Sequence, residues 1–95
     1  MTREDSVENY LKRVVKLAGG IAIKLNPFGY VGIPDRLVLL PGGIVVFVEL
    51  KRPKGGVYSA KQDWYHEWLQ TRGFNSMRWK NRSEIDEGIR DLTEG

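Results

Sequence analysis

The sequence contains no cysteine and only one histidine, His66. Without cysteine the chain can form neither a disulfide framework nor a thiolate zinc site, and a single histidine excludes a metal centre built from several histidines. Any metal ion bound by this chain must therefore be held by oxygen ligands.

A long hydrophobic run is also missing. The longest run, residues 44–48, ends at Glu49 and is far shorter than the roughly 20 residues that span a bilayer. Residues 1–5 are acidic and lack the apolar stretch of a signal peptide. We therefore expect a soluble, intracellular (cytoplasmic) protein that does not contact a membrane.

Internal repeats, low-complexity segments and long linkers are absent as well. The chain has 95 residues, 41% of them hydrophobic, which suffices for one modest core. The sequence thus predicts a single domain over residues 1–95, and any function must lie on it.

The charges are distributed unevenly along the chain. Residues 10–82 contain 13 lysines and arginines but only four acids, whereas the two ends contain the other eight acids and two arginines. A basic middle between acidic ends is compatible with one positively charged face that binds a polyanion such as nucleic acid. An ordinary solvated surface would give the same counts.

Hydrophobic periodicity predicts three helices. The first covers residues 5–18 and ends at Gly19-Gly20, because its apolar residues recur at helical spacing. The second begins with the capping-box pattern of residues 59–62 and ends at Arg72, before Gly73. The third begins at Ser83 and places its apolar residues on one face.

Four segments have the composition of strands: residues 21–25, a segment that begins near Asp35 and runs to residue 40, residues 44–50 and residues 75–79. The second and third are almost continuously apolar, which predicts burial on both faces, and Pro41-Gly42-Gly43 between them predicts a hairpin. The expected order is helix, three strands, helix, strand, helix, in a mixed α/β fold.

The hairpin places two carboxylates opposite each other. If Leu40 pairs with Ile44, Asp35 faces Glu49, and directly opposed Cβ atoms lie roughly 4.5 to 5.5 Å apart. A divalent cation between the carboxylates would relieve their repulsion. Lys51, two residues beyond Glu49 on the same strand, points to the same face.

A structural explanation of these three residues stays open. Glu49 and Lys51 could be charges at the end of a strand, and Asp35 could be a turn residue after Pro34. A shift of one residue in the hairpin register would also turn one carboxylate to the other face.

These residues resemble the virus-type replication-repair nuclease (VRR-NUC) domain, a branch of the PD-(D/E)XK nucleases. The resemblance runs from about Glu8 to Trp79. It rests on residues 32–36 (GIPDR), residues 48–53 (VELKRP), and Gly56, Ser59, Gln62, Trp64 and Gly73. It implies a restriction-endonuclease-like core of helix, three strands, helix and strand, here with a C-terminal helix.

The resemblance also implies an activity: hydrolysis of DNA phosphodiester bonds with Mg²⁺ or Mn²⁺, often at branched structures. Small members of the family encoded by phages and prophages imply a homodimer that resolves four-way (Holliday) junctions. A flap or nicking nuclease, a non-catalytic nucleic-acid-binding module and a protein-interaction domain are the alternatives.

Site residues follow from the same resemblance. Asp35 and Glu49 would ligate the metal together with the backbone carbonyl of Leu50, and Lys51 would orient the attacking water or stabilise developing charge. Glu8 resembles an additional acidic ligand, although acids are also favourable in the first turns of a helix. Gln62 resembles a glutamine near the site, although it also fits the capping box.

Basic and aromatic residues are candidates for binding DNA. Phosphate contacts are predicted at Lys24, Arg52, Lys54, Arg78 and Lys80. Trp64, Tyr65, Trp68 and Trp79 could stack on bases, but packing in the core or in a dimer interface is the favoured interpretation.

Overall fold

A computed structural model describes residues 3–50 and 57–94, with side chains from residue 7 onward. The elements are α1 (Arg3–Leu17), β1 (Ile21–Lys24), β2 (Arg36–Leu40), β3 (Ile44–Leu50), α2 (Ala60–Thr71), β4 (Asn75–Trp79) and α3 (Arg82–Glu94). The predicted order and type of all seven elements are confirmed.

Element ends differ from the prediction by one or two residues. The first helix begins at Arg3 rather than residue 5, and the last begins at Arg82, one residue before the predicted Ser83. The reason at α3 is the cap: the side chain of Asn81 accepts a hydrogen bond from the Glu84 backbone N–H at 2.9 Å.

The four strands form one mixed sheet in the order β1-β2-β3-β4. β1, β2 and β3 are antiparallel neighbours, and β4 runs parallel to β3 after the crossover through α2. The hairpin register agrees with the prediction, since Leu40 pairs with Ile44 and Arg36 pairs with Val48.

The main core lies between one face of the sheet and the helices α1 and α3. Its buried members are Leu11, Val15, Val38, Leu40, Val46, Val48, Trp79, Ile85 and Ile89. Because side chains alternate along a strand, the even-numbered residues of β2 and β3 supply this core and their odd-numbered neighbours point to the opposite face.

That opposite face is only partly covered. Helix α2 lies against it near β4, where His66 and Ser76 share a hydrogen bond of 2.7 Å. Ile21, Ile23 and Val45 remain 56%, 39% and 45% exposed. The prediction that β2 and β3 are buried on both faces is confirmed only in part: on this face Val45 is exposed and Leu37, Leu39 and Phe47 are half-buried, because one helix cannot cover four strands.

Within the described part of the chain, none of the helices combines the length and apolar character needed to cross a bilayer.

Candidate active site

Asp35 directly precedes β2, and Glu49 lies near the end of β3. The bonded register of the hairpin ends with Arg36 opposite Val48, and its continuation by one residue would place Asp35 opposite Glu49. Glu49 belongs to the odd-numbered residues of β3 that point toward α2, and Asp35 would share this face if β2 were extended by one residue. Glu49 is only 8% exposed although it lies one residue from the end of β3. Burial of a carboxylate at this position is costly unless a charged or polar group compensates it.

One oxygen of Asp35 has no such compensation among the described residues. Its Oδ1 atom is buried and has no hydrogen-bond partner there. Burial raises the pKa of Asp35; the Arg36 guanidinium and the Leu50 backbone amide oppose that rise, and the negative charge of Glu8 adds to it. A cation placed at this oxygen would stabilise the charged carboxylate.

Arg36 is a site residue that the sequence reasoning missed. It is 3% exposed, and its Nη2 atom lies 2.5 Å from Oε1 of Glu8 on α1. Its Nη1 atom donates to the backbone carbonyl of Asp35 at 3.1 Å and lies 3.7 Å from Oδ2 of Asp35. Arg36 therefore joins the predicted ligand Glu8 to the strand that bears Asp35.

A signal for Arg36 was present in the sequence. It occupies the first position of β2, on the face that otherwise carries Val38 and Leu40 into the core. An arginine at a core-facing position needs a carboxylate partner. The partner, Glu8, is distant in sequence, so the pattern alone could not identify it.

A second charged cluster borders Glu49. Arg78 is its register partner on β4, and its Nη2 atom lies 2.7 Å from Oδ1 of Asp63 on α2. The same guanidinium lies over the ring of Tyr58, 3.9 Å from its centroid. Arg78 is thus a cation held in place beside Glu49, and its predicted phosphate contact stays a prediction.

The predicted capping box at Gln62 is confirmed. The Gln62 Oε1 atom accepts from the Ser59 backbone N–H at 2.8 Å, and Ser59 Oγ accepts from the Gln62 backbone N–H at 3.2 Å. Oε1 of Gln62 is therefore already used at the start of α2. The amide nitrogen of the same side chain makes no hydrogen bond within residues 7–50 and 57–94.

The predicted phosphate contacts divide into two groups. Lys24 is exposed at the end of β1, opposite Arg36, and Lys80 is exposed directly after β4. Both lie at the end of the sheet that carries Asp35 and Glu49. Lys51, Arg52 and Lys54 lie outside the described residues.

The aromatic residues differ in burial. Trp79 is 5% exposed and belongs to the core, as expected. Trp64 and Trp68 are 56% and 37% exposed, so packing in the monomer core is wrong for them. Their rings form a row with Phe74, since Trp68 lies nearly parallel to both neighbours.

The donor set suits a hard divalent cation with few protein ligands. Within residues 7–50 and 57–94, no three histidine or acidic side chains converge closely enough to form a complete metal cage. Mg²⁺ is commonly held by one or two carboxylates, with water completing its coordination. The buried Oδ1 of Asp35 and the buried Glu49 fit this mode of binding.

Solved structures of VRR-NUC domains resemble this chain. No family model matches the chain. A solved structure described as "VRR_NUC domain" is 33% identical, with a TM-score of 0.87 over 95% of this chain and 97% of the other. A second, "VRR_NUC domain protein", has a TM-score of 0.74 at 15% identity, over 99% and 90% of the two chains, and shows the fold alone.

One curated relative also matches part of the chain. "Putative nuclease p44" of Acyrthosiphon pisum secondary endosymbiont phage 1 is 51% identical over 53 residues, which is 56% of this chain and 57% of that protein. Since the 33% identical structure is matched over nearly its whole length, this chain belongs to the VRR-NUC family of nucleases.

Proposed function

We propose that this protein is a metal-dependent, structure-selective DNA endonuclease that hydrolyses phosphodiester bonds. The observation that carries the proposal is the buried Oδ1 of Asp35, which has no hydrogen-bond partner among the described residues and lies at the same end of the sheet as the buried Glu49, on a VRR-NUC fold. A divalent cation at this position would supply the interaction that Oδ1 of Asp35 lacks among the described residues.

The proposed chemistry assigns a role to each residue at the site. Asp35, Glu49 and the backbone carbonyl of Leu50 would hold Mg²⁺ or Mn²⁺. When bound, such a cation acidifies water and neutralises charge on the phosphate. Lys51 would orient the attacking water. Attack at phosphorus then breaks the bond to the 3′ oxygen, leaving a 5′-phosphate and a 3′-hydroxyl.

In this proposal Glu8 does not ligate the metal directly. Its carboxylate is engaged by Arg36, so Arg36 holds a third negative charge beside Asp35. We propose that Glu8 would act from this position on the attacking water, with Arg36 as the residue that positions it. Gln62 could contribute its amide nitrogen to the same site.

DNA contacts are proposed for the cations around this end of the sheet. Lys24, Arg78 and Lys80 lie at the same end of the sheet as Asp35 and Glu49, and Arg52 and Lys54 follow Glu49 in the sequence. Contacts to phosphates carry no sequence information, so affinity should fall steeply with salt while remaining similar between sequences. Branched DNA is the proposed substrate.

A homodimer is part of the proposal. The partly covered sheet face leaves Ile21, Ile23 and Val45 exposed, and a chain of 95 residues has a small core of its own. An isologous contact through this face would bury apolar side chains and fix the separation of two active sites. Two such sites match the two-fold symmetry of a four-way junction.

The test uses labelled four-way junction, flap, splayed and linear duplex DNAs with Mg²⁺, Mn²⁺ or EDTA. We expect metal-dependent cleavage that favours branched DNA and is absent from Asp35→Asn. Cleavage of flaps with intact junctions would instead indicate a nicking nuclease. Salt-dependent binding without cleavage in any metal would indicate a binding module and would overturn the proposal.

A further inference from the structure

A small pocket lies between the loop that precedes β2 and the first turns of α2. Its volume is about 220 Å³, and it is lined by Gly29, Val31, Lys61, Trp64 and Tyr65. None of these residues belongs to the proposed metal site, and the capping box of α2 does not use their side chains.

Two aromatic rings form one wall of the pocket. Trp64 and Tyr65 are perpendicular at 88°, with centroids 5.0 Å apart, and Trp64 is 56% exposed. An exposed ring in this arrangement offers a flat apolar surface to an incoming planar group. Lys61 adds a positive charge, and its ammonium makes no ion pair within residues 7–50 and 57–94.

The pocket and Asp35 are connected through the same loop. Gly32 packs so closely on α2 that an added Cβ atom would lie 2.7 Å from Cβ of Lys61, and its φ of +100° also favours glycine. Three residues later comes Asp35, whose backbone carbonyl accepts from the Leu25 N–H at 2.8 Å. The loop therefore fixes the pocket relative to the candidate catalytic centre.

We propose that this pocket binds an unpaired nucleobase of the DNA substrate, with Lys61 contacting a neighbouring phosphate. The proposal deepens the proposed function, on which it rests, by naming the substrate feature that is recognised. Stacking on an aromatic side chain requires a base outside the double helix, and branched DNA supplies such bases more readily than paired duplex.

A second copy of the chain is a less suitable occupant. Lysine is depleted in protein interfaces, whereas an aromatic ring beside a cation is the usual composition of a single-strand binding surface. The exposed apolar positions Ile21 and Val45 lie on the sheet itself and are not part of the pocket lining.

The experiment compares two DNA duplexes that differ only in one bulged 2-aminopurine nucleotide, in EDTA so that no cleavage occurs. We expect the wild-type protein to bind the bulged duplex about tenfold more tightly, the equivalent of one stacked base. The 2-aminopurine emission should fall on binding. Trp64→Ala and Lys61→Ala should lower this preference while leaving affinity for paired duplex nearly unchanged.

Phe74→Ala is the matched control, since Phe74 is a 51% exposed ring in the same aromatic row but does not line the pocket. It should retain the preference. Equal affinity of the wild type for both duplexes, or an unchanged preference in Trp64→Ala, would overturn the proposal. Loss of a dimer in Trp64→Ala with an unchanged preference would assign the pocket to a second copy.

The proposed function can fail independently of this pocket. A preference for the bulged duplex in EDTA, combined with no cleavage of any DNA in Mg²⁺ or Mn²⁺, would retain the pocket and reject the endonuclease. Cleavage without the preference would reject the pocket alone.

Discussion

A carboxylate oxygen buried without a partner destabilises the protein that carries it. Oδ1 of Asp35 is in this situation within the described residues, and the raised pKa of Asp35 has the same physical origin, namely burial. Such a residue is expected at a functional site, where the ligand supplies the missing interaction.

Asp35→Asn should have opposite effects on cleavage and on stability. Asp35→Asn and Glu49→Gln should abolish cleavage, because each removes a negatively charged oxygen ligand. Asp35→Asn should also raise the melting temperature in EDTA, because it removes a buried charge. Gel assays and thermal unfolding would measure the two effects.

Asp91→Asn, which changes an exposed carboxylate on α3, is the control and should leave both properties unchanged. Normal cleavage by Asp35→Asn would remove Asp35 from the site, and a lowered melting temperature would indicate a structural role.

Arg36 and Glu8 lead to a second prediction at the residue scale. Glu8→Gln removes the nearer of the two carboxylates beside the buried Arg36 guanidinium, so it should lower the free energy of unfolding by about 1 to 3 kcal/mol. It should also raise the Mg²⁺ concentration needed for half-maximal cleavage. Urea denaturation and a metal titration measure these changes.

Glu87→Gln, at an exposed position on α3, serves as the comparison and should have neither effect. If Glu8→Gln lost stability but kept the same metal requirement, the ion pair would be structural only.

At the scale of elements, the stability of α2 depends on the capping box at its N-terminus. Its N-cap Ser59 has an extended conformation and closes the capping box with Gln62. We expect Ser59→Ala to lower the free energy of unfolding by about 1 kcal/mol, the usual cost of losing a cap. Ser83→Ala, in the first turn of α3 but not its cap, should cost clearly less. Equal losses in the two variants would contradict the assignment.

The contact between α2 and β4 should make stability sensitive to pH. Burial lowers the pKa of His66 from its ordinary value of 6.5, Arg78 lowers it further and Asp63 opposes this. Below pH 6.5 the unfolded chain therefore takes up a proton that the folded protein still excludes. The stability contributed by neutral His66 is complete above pH 6.5 and is lost as the pH falls toward the folded pKa.

His66→Gln should flatten this dependence between pH 7 and about pH 5, measured by urea denaturation at several pH values. The slopes are compared rather than the absolute stabilities, because the substitution also alters the hydrogen bond to the buried Ser76. An unchanged slope would show that His66 titrates normally in the folded protein.

At the scale of the whole molecule, the partly covered sheet face is the proposed dimer contact. Ile21→Glu places a charge on the proposed contact and should give a monomer by light scattering at micromolar concentration. The monomer should lose paired, symmetric cuts on four-way junctions but still nick. Leu17→Glu, 82% exposed at the end of α1 on the other side of the sheet, should remain a dimer. A wild-type monomer would reject the dimer without affecting the active-site assignment.

The sequence predicted the order and type of the elements because their signals are local. Helical spacing, the capping box at Ser59, the glycines after α1 and α2, and the short hairpin turn each act over a few residues. The hairpin register followed as well, since a short connection leaves little freedom in pairing. Hence the pairing of Leu40 with Ile44, on which the predicted opposition of Asp35 and Glu49 rests, was accessible without a structure.

Tertiary structure alone decided what depends on distant residues. The ion pair of Arg36 with Glu8, the cluster of Arg78 with Asp63, and the pocket beneath residues 29–31 each join segments well separated in the chain. Burial of β2 and β3 on both faces was predicted because their residues are almost continuously apolar. The residues on the partly covered face are mostly as apolar as those in the core. An apolar strand residue has the same local signal whether a helix covers it or not, so only the packing of α2 over one side of the sheet could settle which side chains remain exposed.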